Sequence, residues 1–156
     1  MSEPPFIGVV SDTHGYYDEQ LDHLLAGAVH IIHAGDVGGL WIVTRLRDIA
    51  PVTAVHGNVD RPQELDLPWE AEADIMGIRA LVCHIGKSLM GRHDPVAEGF
   101  DLVVSGHSHK AAVEWREGTL FLNPGAAGRG RFGLPRTLAL VDITDDGLVP
   151  RVVPLG

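Results

Sequence analysis

"FIGVVSDTHG", residues 6–15, joins an apolar run to a turn that carries Asp12 and His14 just ahead of Gly15. The run reads as a buried strand. Side chains alternate along extended chain, so a carboxylate and an imidazole two residues apart are expected on one side, converging above the strand end. An Asp-x-His turn on its own is also ordinary punctuation, because Asp bonds neighbouring backbone in turns. The rest of the chain separates the two readings.

Working outward, residues 16–28 place Leu21, Leu24, Leu25 and Ala28 at helical spacing, with Asp18 and Glu19 near the start where the helix dipole favours anions. Residues 29–33 read as a second strand. Residues 39–50 read as a second helix with Leu40, Trp41, Val43, Leu46 and Ile49 on its apolar side, ended by Pro51, and residues 52–55 as a third strand. This strand–helix alternation predicts a parallel sheet with helices packed on it. Beyond residue 70 the pattern changes to hairpins, over 73–82 around Gly77, 112–122 through Glu117-Gly118, and 136–153 through Asp145-Asp146-Gly147. A buried strand is expected over 101–104 and a short helix over 95–99. The expected fold class is α/β, two packed sheets with flanking helices, in one domain spanning residues 1–156.

The other strands repeat the theme of the first. The second ends in His33-Ala34-Gly35-Asp36, the third in His56-Gly57-Asn58, one hairpin strand in Cys83-His84-Ile85-Gly86, and the 101–104 strand in Ser105-Gly106-His107-Ser108-His109. Ligands of α/β sheets bind beyond the carboxyl ends of strands, where glycines permit sharp turns and close approach. Pooling the five turns gives Asp12, His14, Asp36, Asn58, His84, His107 and His109. Seven donors are too many for one tetrahedral ion. They divide between two if one carboxylate is shared, which is the composition of a two-metal site. A mixed nitrogen and oxygen shell suits manganese, iron, zinc or nickel better than calcium or magnesium; manganese is the favoured expectation.

The ordered series "SDTHG", "HAGDVGG", "VHGNVD", "CHIG", "SGHSH" and "NPG" covers most of the chain and resembles the calcineurin-like metallophosphoesterases, most closely their small YfcE-like phosphodiesterase branch. The resemblance implies a four-layer α/β/β/α sandwich. It further implies one metal held by Asp12, His14, Asp36 and His109 and another by Asp36, Asn58, His84 and His107, with Asp36 bridging. Asp36, Asn58 and His107 would then carry catalysis, on a small phosphate ester attacked by activated water. Asn123, in "NPG", matches a position whose loop supports the ligand turns. Two departures stand out: Val59 occupies a place where many relatives carry a histidine that assists the leaving group, and a motif often written His-Gly-His reads His84-Ile85-Gly86.

Composition narrows the partners. The net charge is −9 over 156 residues, which disfavours a phosphate-backbone footprint on duplex nucleic acid and, with the short chain, a nuclease resembling the Mre11 class. No apolar run is long enough to span a bilayer, and the first residues lack a signal-peptide pattern, so a cytoplasmic protein with no membrane association is expected. Cys83 is the lone cysteine and is expected in the core. A homo-oligomer remains compatible. The alternative to an enzyme is a noncatalytic interaction scaffold resembling Vps29, against which all seven positions carry competent donors.

Some residues fall outside this scheme. Arg129, Arg131 and Arg136 offer guanidinium groups to phosphate if their loop reaches the metals, and Trp69 is a candidate rim on which a base or aryl group stacks. His33 and His56 adjoin ligand turns and are candidates to orient them. His23, His30 and His93 read as surface or loop residues.

Overall fold

The computed structural model describes residues 3–61, 66–129 and 133–156. Along the chain these form β1 (Phe6–Val10), α1 (Gln20–Leu24), β2 (His30–His33), α2 (Leu40–Arg47), β3 (Val52–Ala54), β4 (Glu70–Ile75), β5 (Ile78–Cys83), α3 (Gly86–Met90), β6 (Leu102–Val104), β7 (Ala112–Arg116), β8 (Thr119–Asn123), β9 (Thr137–Thr144) and β10 (Gly147–Pro154). The strands make two five-stranded mixed sheets, ordered β10-β9-β1-β2-β3 and β4-β5-β6-β8-β7. In the first, β1, β2 and β3 run parallel and β9 and β10 close one side antiparallel. In the second, β5, β6 and β8 run parallel between antiparallel edges.

Alternation along the strands builds the layers. Ile7 and Val9 of β1, Ala80 and Val82 of β5, and Ala139 and Val141 of β9 point between the sheets, where they meet Leu102, Val104, Leu120 and Leu122. The intervening positions Val10, Leu138 and Leu140 face Leu21, Leu25, Ile42, Val43 and Leu46 of the first helical layer. On the far side Leu81, Cys83 and Val103 meet Leu89 of α3 and Phe100. The period-two pattern therefore serves two apolar layers per sheet. The expected α/β/β/α sandwich is present, with Cys83 in its core.

Three local expectations are corrected. The helix expected over 16–28 is confined to Gln20–Leu24, because the Asp18 carboxylate accepts from the Gln20 backbone and starts it late, while Gly27 at φ 86° closes it. Leu40 and Trp41 are half exposed rather than on the buried side of α2. At about 100° per residue, Ile42, Val43 and Leu46 define the stripe and Trp41 falls roughly 150° from its centre. Residues 95–99 form hydrogen-bonded turns that end at Gly99 (φ 82°), and the outer helix is α3 instead. It is short and buries Leu89 alone.

Candidate metal centre

The turns after β1 and β2 lie side by side and are tied to each other by backbone. Asp12 N donates to Gly35 O at 3.0 Å, His14 N to Asp36 O at 2.9 Å, and Gly15 N to Val37 O at 2.9 Å. Gly106 N donates to His84 O at 2.9 Å and so joins the turns of the second sheet. Strand alternation is not what aims the side chains, which corrects that expectation. Asp12, His14, Asp36, His107 and His109 have φ of 54°, 49°, 54°, 74° and 64°. Left-handed backbone costs a non-glycine residue about 1–2 kcal/mol, and it persists where the surroundings over-determine it. Two glycines show how tightly these do so. A Cβ at Gly57 would sit 2.1 Å from Asp36 N, and one at Gly106 would sit 2.1 Å from Ser11 Oγ.

All seven expected donors come together. Asp12, His14 and His109 form one cluster, and Asp36, His84 and His107 a second. The clusters touch: His14 Nε2 lies 3.5 Å from Asp12 Oδ1 and 3.6 Å from Asp36 Oδ2, and His84 Nε2 lies 3.8 Å and 3.1 Å from the same two oxygens. His109 Nε2 is 3.4 Å from Asp12 Oδ1. The Asn58 amide places its oxygen 3.0–3.1 Å from both Asp36 oxygens and from His84 Nε2. An amide nitrogen turned there would donate to all three; an oxygen there shares a cation with them. Asp12 Oδ1 and His14 Nε2, buried without a hydrogen bond, favour the cation. The donor set fits a divalent transition metal.

Burial pushes the Asp12 carboxyl up, but the adjacent His14 imidazole, the Ser11 hydroxyl bond and the charge of His84 outweigh it and hold it at about 2. Asp36 is lowered despite burial by His84 and by the Val59 backbone N–H at 2.9 Å. Both carboxylates are thus anionic ahead of any cation.

A second ring of residues orients these donors. His84 Nδ1 donates to Ala34 O at 2.8 Å, which leaves Nε2 for the centre. Ser11 Oγ and His107 N both donate to Asp12 Oδ2, at 2.6 and 3.0 Å. His33 accepts from Gly35 N at Nδ1 and donates from Nε2 to Thr13 Oγ1 at 3.0 Å; that hydroxyl donates on to Val37 O. Its burial lowers the His33 pKa to about 4, so the ring is neutral at pH 7. Asp60 accepts from Val37 N, Gly38 N and Gly57 N. Asn123 Nδ2 donates to Gly106 O and Ser108 Oγ, so its loop does support the His107–His109 turn. Ser11, Thr13 and Asp60 were not among the expected residues. Asp60 had a signal, a carboxylate closing the "GNVD" turn, which is ordinary turn composition by itself.

Arg136 and Arg129 have partners of their own. Arg136 is held by the Asp18 carboxylate and by the Gly128 and Ala127 carbonyls, which withdraws it from phosphate. Arg129 lies over the Tyr16 ring at 4.7 Å, and Arg131 lies outside the described residues. His93 is clamped between Glu70 and Glu98, at 2.7 and 2.8 Å, rather than free in a loop. His30 bonds Thr53 Oγ1 at 2.7 Å. No described helix is long and apolar enough to cross a membrane.

The family model described as "Calcineurin-like phosphoesterase superfamily domain" matches residues 6–146. A probable metallophosphoesterase of Methanocaldococcus jannaschii is 34% identical over 164 residues, covering 96% of this chain and 81% of the relative. A phosphodiesterase of the same organism is 25% identical over 166 residues, covering 87% and 92%. Among solved structures, Vacuolar Protein Sorting 29 from Cryptosporidium parvum superposes with a TM-score of 0.73 at 21% identity, covering 99% of this chain and 100% of that one.

Proposed function

The chain belongs to the calcineurin-like phosphoesterase superfamily, and from that premise we propose that it is a phosphodiesterase that uses two divalent metal ions on a small phosphate ester. The observation that carries this is the meeting of seven donors, with the Asn58 oxygen, the Asp36 carboxylate and His84 Nε2 turned toward one another. Asp12, His14, Asp36 and His109 would hold one ion and Asp36, Asn58, His84 and His107 the other, with manganese favoured over iron, zinc or nickel. Such a pair, when bound, makes water a better nucleophile and neutralises charge on the phosphoryl oxygens.

The chain's own contribution is positioning. Asp12 and Asp36 stay ionised through their histidine and backbone partners. Ala34 O fixes the His84 tautomer, and Asp60 and Asn123 hold the turns at fixed spacing. At Val59 the chain offers no imidazole to protonate the leaving oxygen, an assistance typically worth 10²–10⁴-fold. Diesters with good aryl leaving groups are therefore expected to react much faster than alkyl diesters. Equal rates on the two would contradict this.

The test compares bis-p-nitrophenyl phosphate with p-nitrophenyl phosphate on chelator-stripped protein restored with manganese, nickel, zinc or magnesium. Metal-restored cleavage of the diester, abolished in Asn58→Ala and His107→Ala, is the expected result. Folded, metal-loaded protein that cleaves neither compound would turn the reading to a binding scaffold.

A further inference from the structure

Beside the second cluster, a cavity of about 510 Å³ opens between the end of β3, the start of β4 and α3, lined by His56, Asn58, Trp69, His84, Ser88 and Arg92. Its volume is in the range of small-molecule sites. Two of its walls, Asn58 and His84, are donors of the metal centre, so a phosphate held there would direct one of its ester groups into this space.

His56 is the feature without a structural explanation. Its side chain is only 2% exposed, yet neither ring nitrogen has a hydrogen-bond partner. Buried polar atoms left unpaired are costly and rare. A neutral imidazole carries one donor and one acceptor. Trp69 lies against this ring at 4.0 Å between centroids, tilted by 48°, and is itself 61% exposed, so most of the indole is open to the cavity or to solvent. The cation on the wall is already neutralised: Arg92 lies 2.8 Å from Glu70, which also engages His93. Among the described residues the cavity therefore presents an aromatic surface, the Ser88 hydroxyl and, on its wall, a buried imidazole whose donor and acceptor lack partners, and its one lining arginine is already paired.

Building on the phosphodiesterase reading above, we propose that this cavity binds a flat heteroaromatic group esterified to the phosphate, of nucleobase size and chemistry, with Trp69 as the stacking surface and His56 bonding the ring edge. Stacking on an exposed indole is sequence-tolerant and contributes affinity that phosphate contacts alone do not. A base edge supplies the hydrogen-bonding atoms that His56 lacks.

The experiment uses Trp69 as the lone fluorophore, in protein carrying Trp41→Phe and Trp115→Phe, both at half-exposed positions. Metal-stripped protein is titrated with adenosine and with ribose; metal-restored protein with adenosine 5′-monophosphate, ribose 5-phosphate and phenyl phosphate, followed by calorimetry. Adenosine is expected to quench Trp69 saturably and ribose not to. Adenosine 5′-monophosphate is expected to bind about tenfold tighter than ribose 5-phosphate. In calorimetry, Trp69→Ala should erase that preference while leaving ribose 5-phosphate affinity unchanged, and Trp69→Phe should restore part of it. His56→Phe should weaken the nucleotide and spare phenyl phosphate. Equal binding of the nucleotide and ribose 5-phosphate, or a preference that survives Trp69→Ala, overturns the proposal. Failure of the enzyme reading looks different: adenosine still quenches Trp69 while bis-p-nitrophenyl phosphate is not cleaved with any metal.

Discussion

Two sets of turns hold non-glycine residues in left-handed backbone, and for opposite reasons. At the β4–β5 and β7–β8 hairpin tips, Met76 and Glu117 (φ 53° and 47°) each precede a glycine, at 85° and 89°. Positive φ at both central residues marks the type I′ turn, whose twist suits a two-residue hairpin. Nothing lies within 4 Å of a Cβ added at Gly77 or Gly118, so connectivity alone sets the conformation. At the metal centre, Asp12, His14, Asp36, His107 and His109 adopt the same backbone state, packed so closely that an added Cβ at Gly57 would overlap Asp36. There the neighbours impose the strain. It aims donors rather than reversing a chain.

The largest test sets one glycine against another. Gly57→Ala must displace Asp36 and is expected to lower kcat/KM on bis-p-nitrophenyl phosphate by at least about 100-fold, as a misplacement of this size does. Gly118→Ala is strained by φ alone; urea titration should show a loss of about 1 kcal/mol with turnover unchanged. Wild-type turnover in Gly57→Ala would break the comparison.

Next is the brace on the strained turns. Asp60→Asn is expected to reduce metal affinity about 10–100-fold, read by competition with a chromogenic chelator. An unchanged affinity would mean that the turns hold themselves.

His33 tests the brace by pH. Its folded pKa of about 4 lies below the ordinary 6.5, so below pH 6.5 the unfolded chain binds a proton that the folded one refuses. The cost is absent above pH 6.5, grows as pH falls, and is complete below pH 4, at roughly 3 kcal/mol. Urea titrations of metal-free protein at pH 7.5 and 4.5 should show His33→Gln losing less stability between the two than wild type. His84 acts in the opposite sense, its pKa raised by Asp36 and Asp12 against the effect of burial, and it cancels in that difference. The smallest effect is at a tip: Glu117→Asn, a residue suited to type I′ turns, should stabilise by about 0.5 kcal/mol with no change in turnover.

Strand and hairpin positions were legible because they rest on local patterns. Alternation in Phe6–Val10 and Thr137–Thr144, and the tips at Gly77 and Gly118, need only neighbours in sequence. The helices were less so. Residues 16–28 carry a helical pattern, but Asp18 bonds Gln20 and Arg136 and the run before it belongs to the metal-centre turn. Trp41 read as core because apolar character in a short window cannot say which side of α2 meets the sheet.

The residue types of the site, seven donors each beside a strand end and a glycine, were set by the sequence, because ligand chemistry belongs to the side chain. Their aim was decided by tertiary structure. Asp12 and His14 converge through left-handed backbone that the facing Gly35–Val37 turn imposes by hydrogen bonds, and no window around residue 12 contains that turn. Asp60 as a three-fold acceptor, Arg136 as a partner of Asp18, and His56 left unpaired beside Trp69 are likewise products of approach. Each depends on which distant backbone N–H, carboxylate or ring arrives alongside: pairing of strands far apart in sequence within the first sheet brings the Gly35–Val37 turn to Asp12, Val37, Gly38 and Gly57 to Asp60, and Asp18 to Arg136.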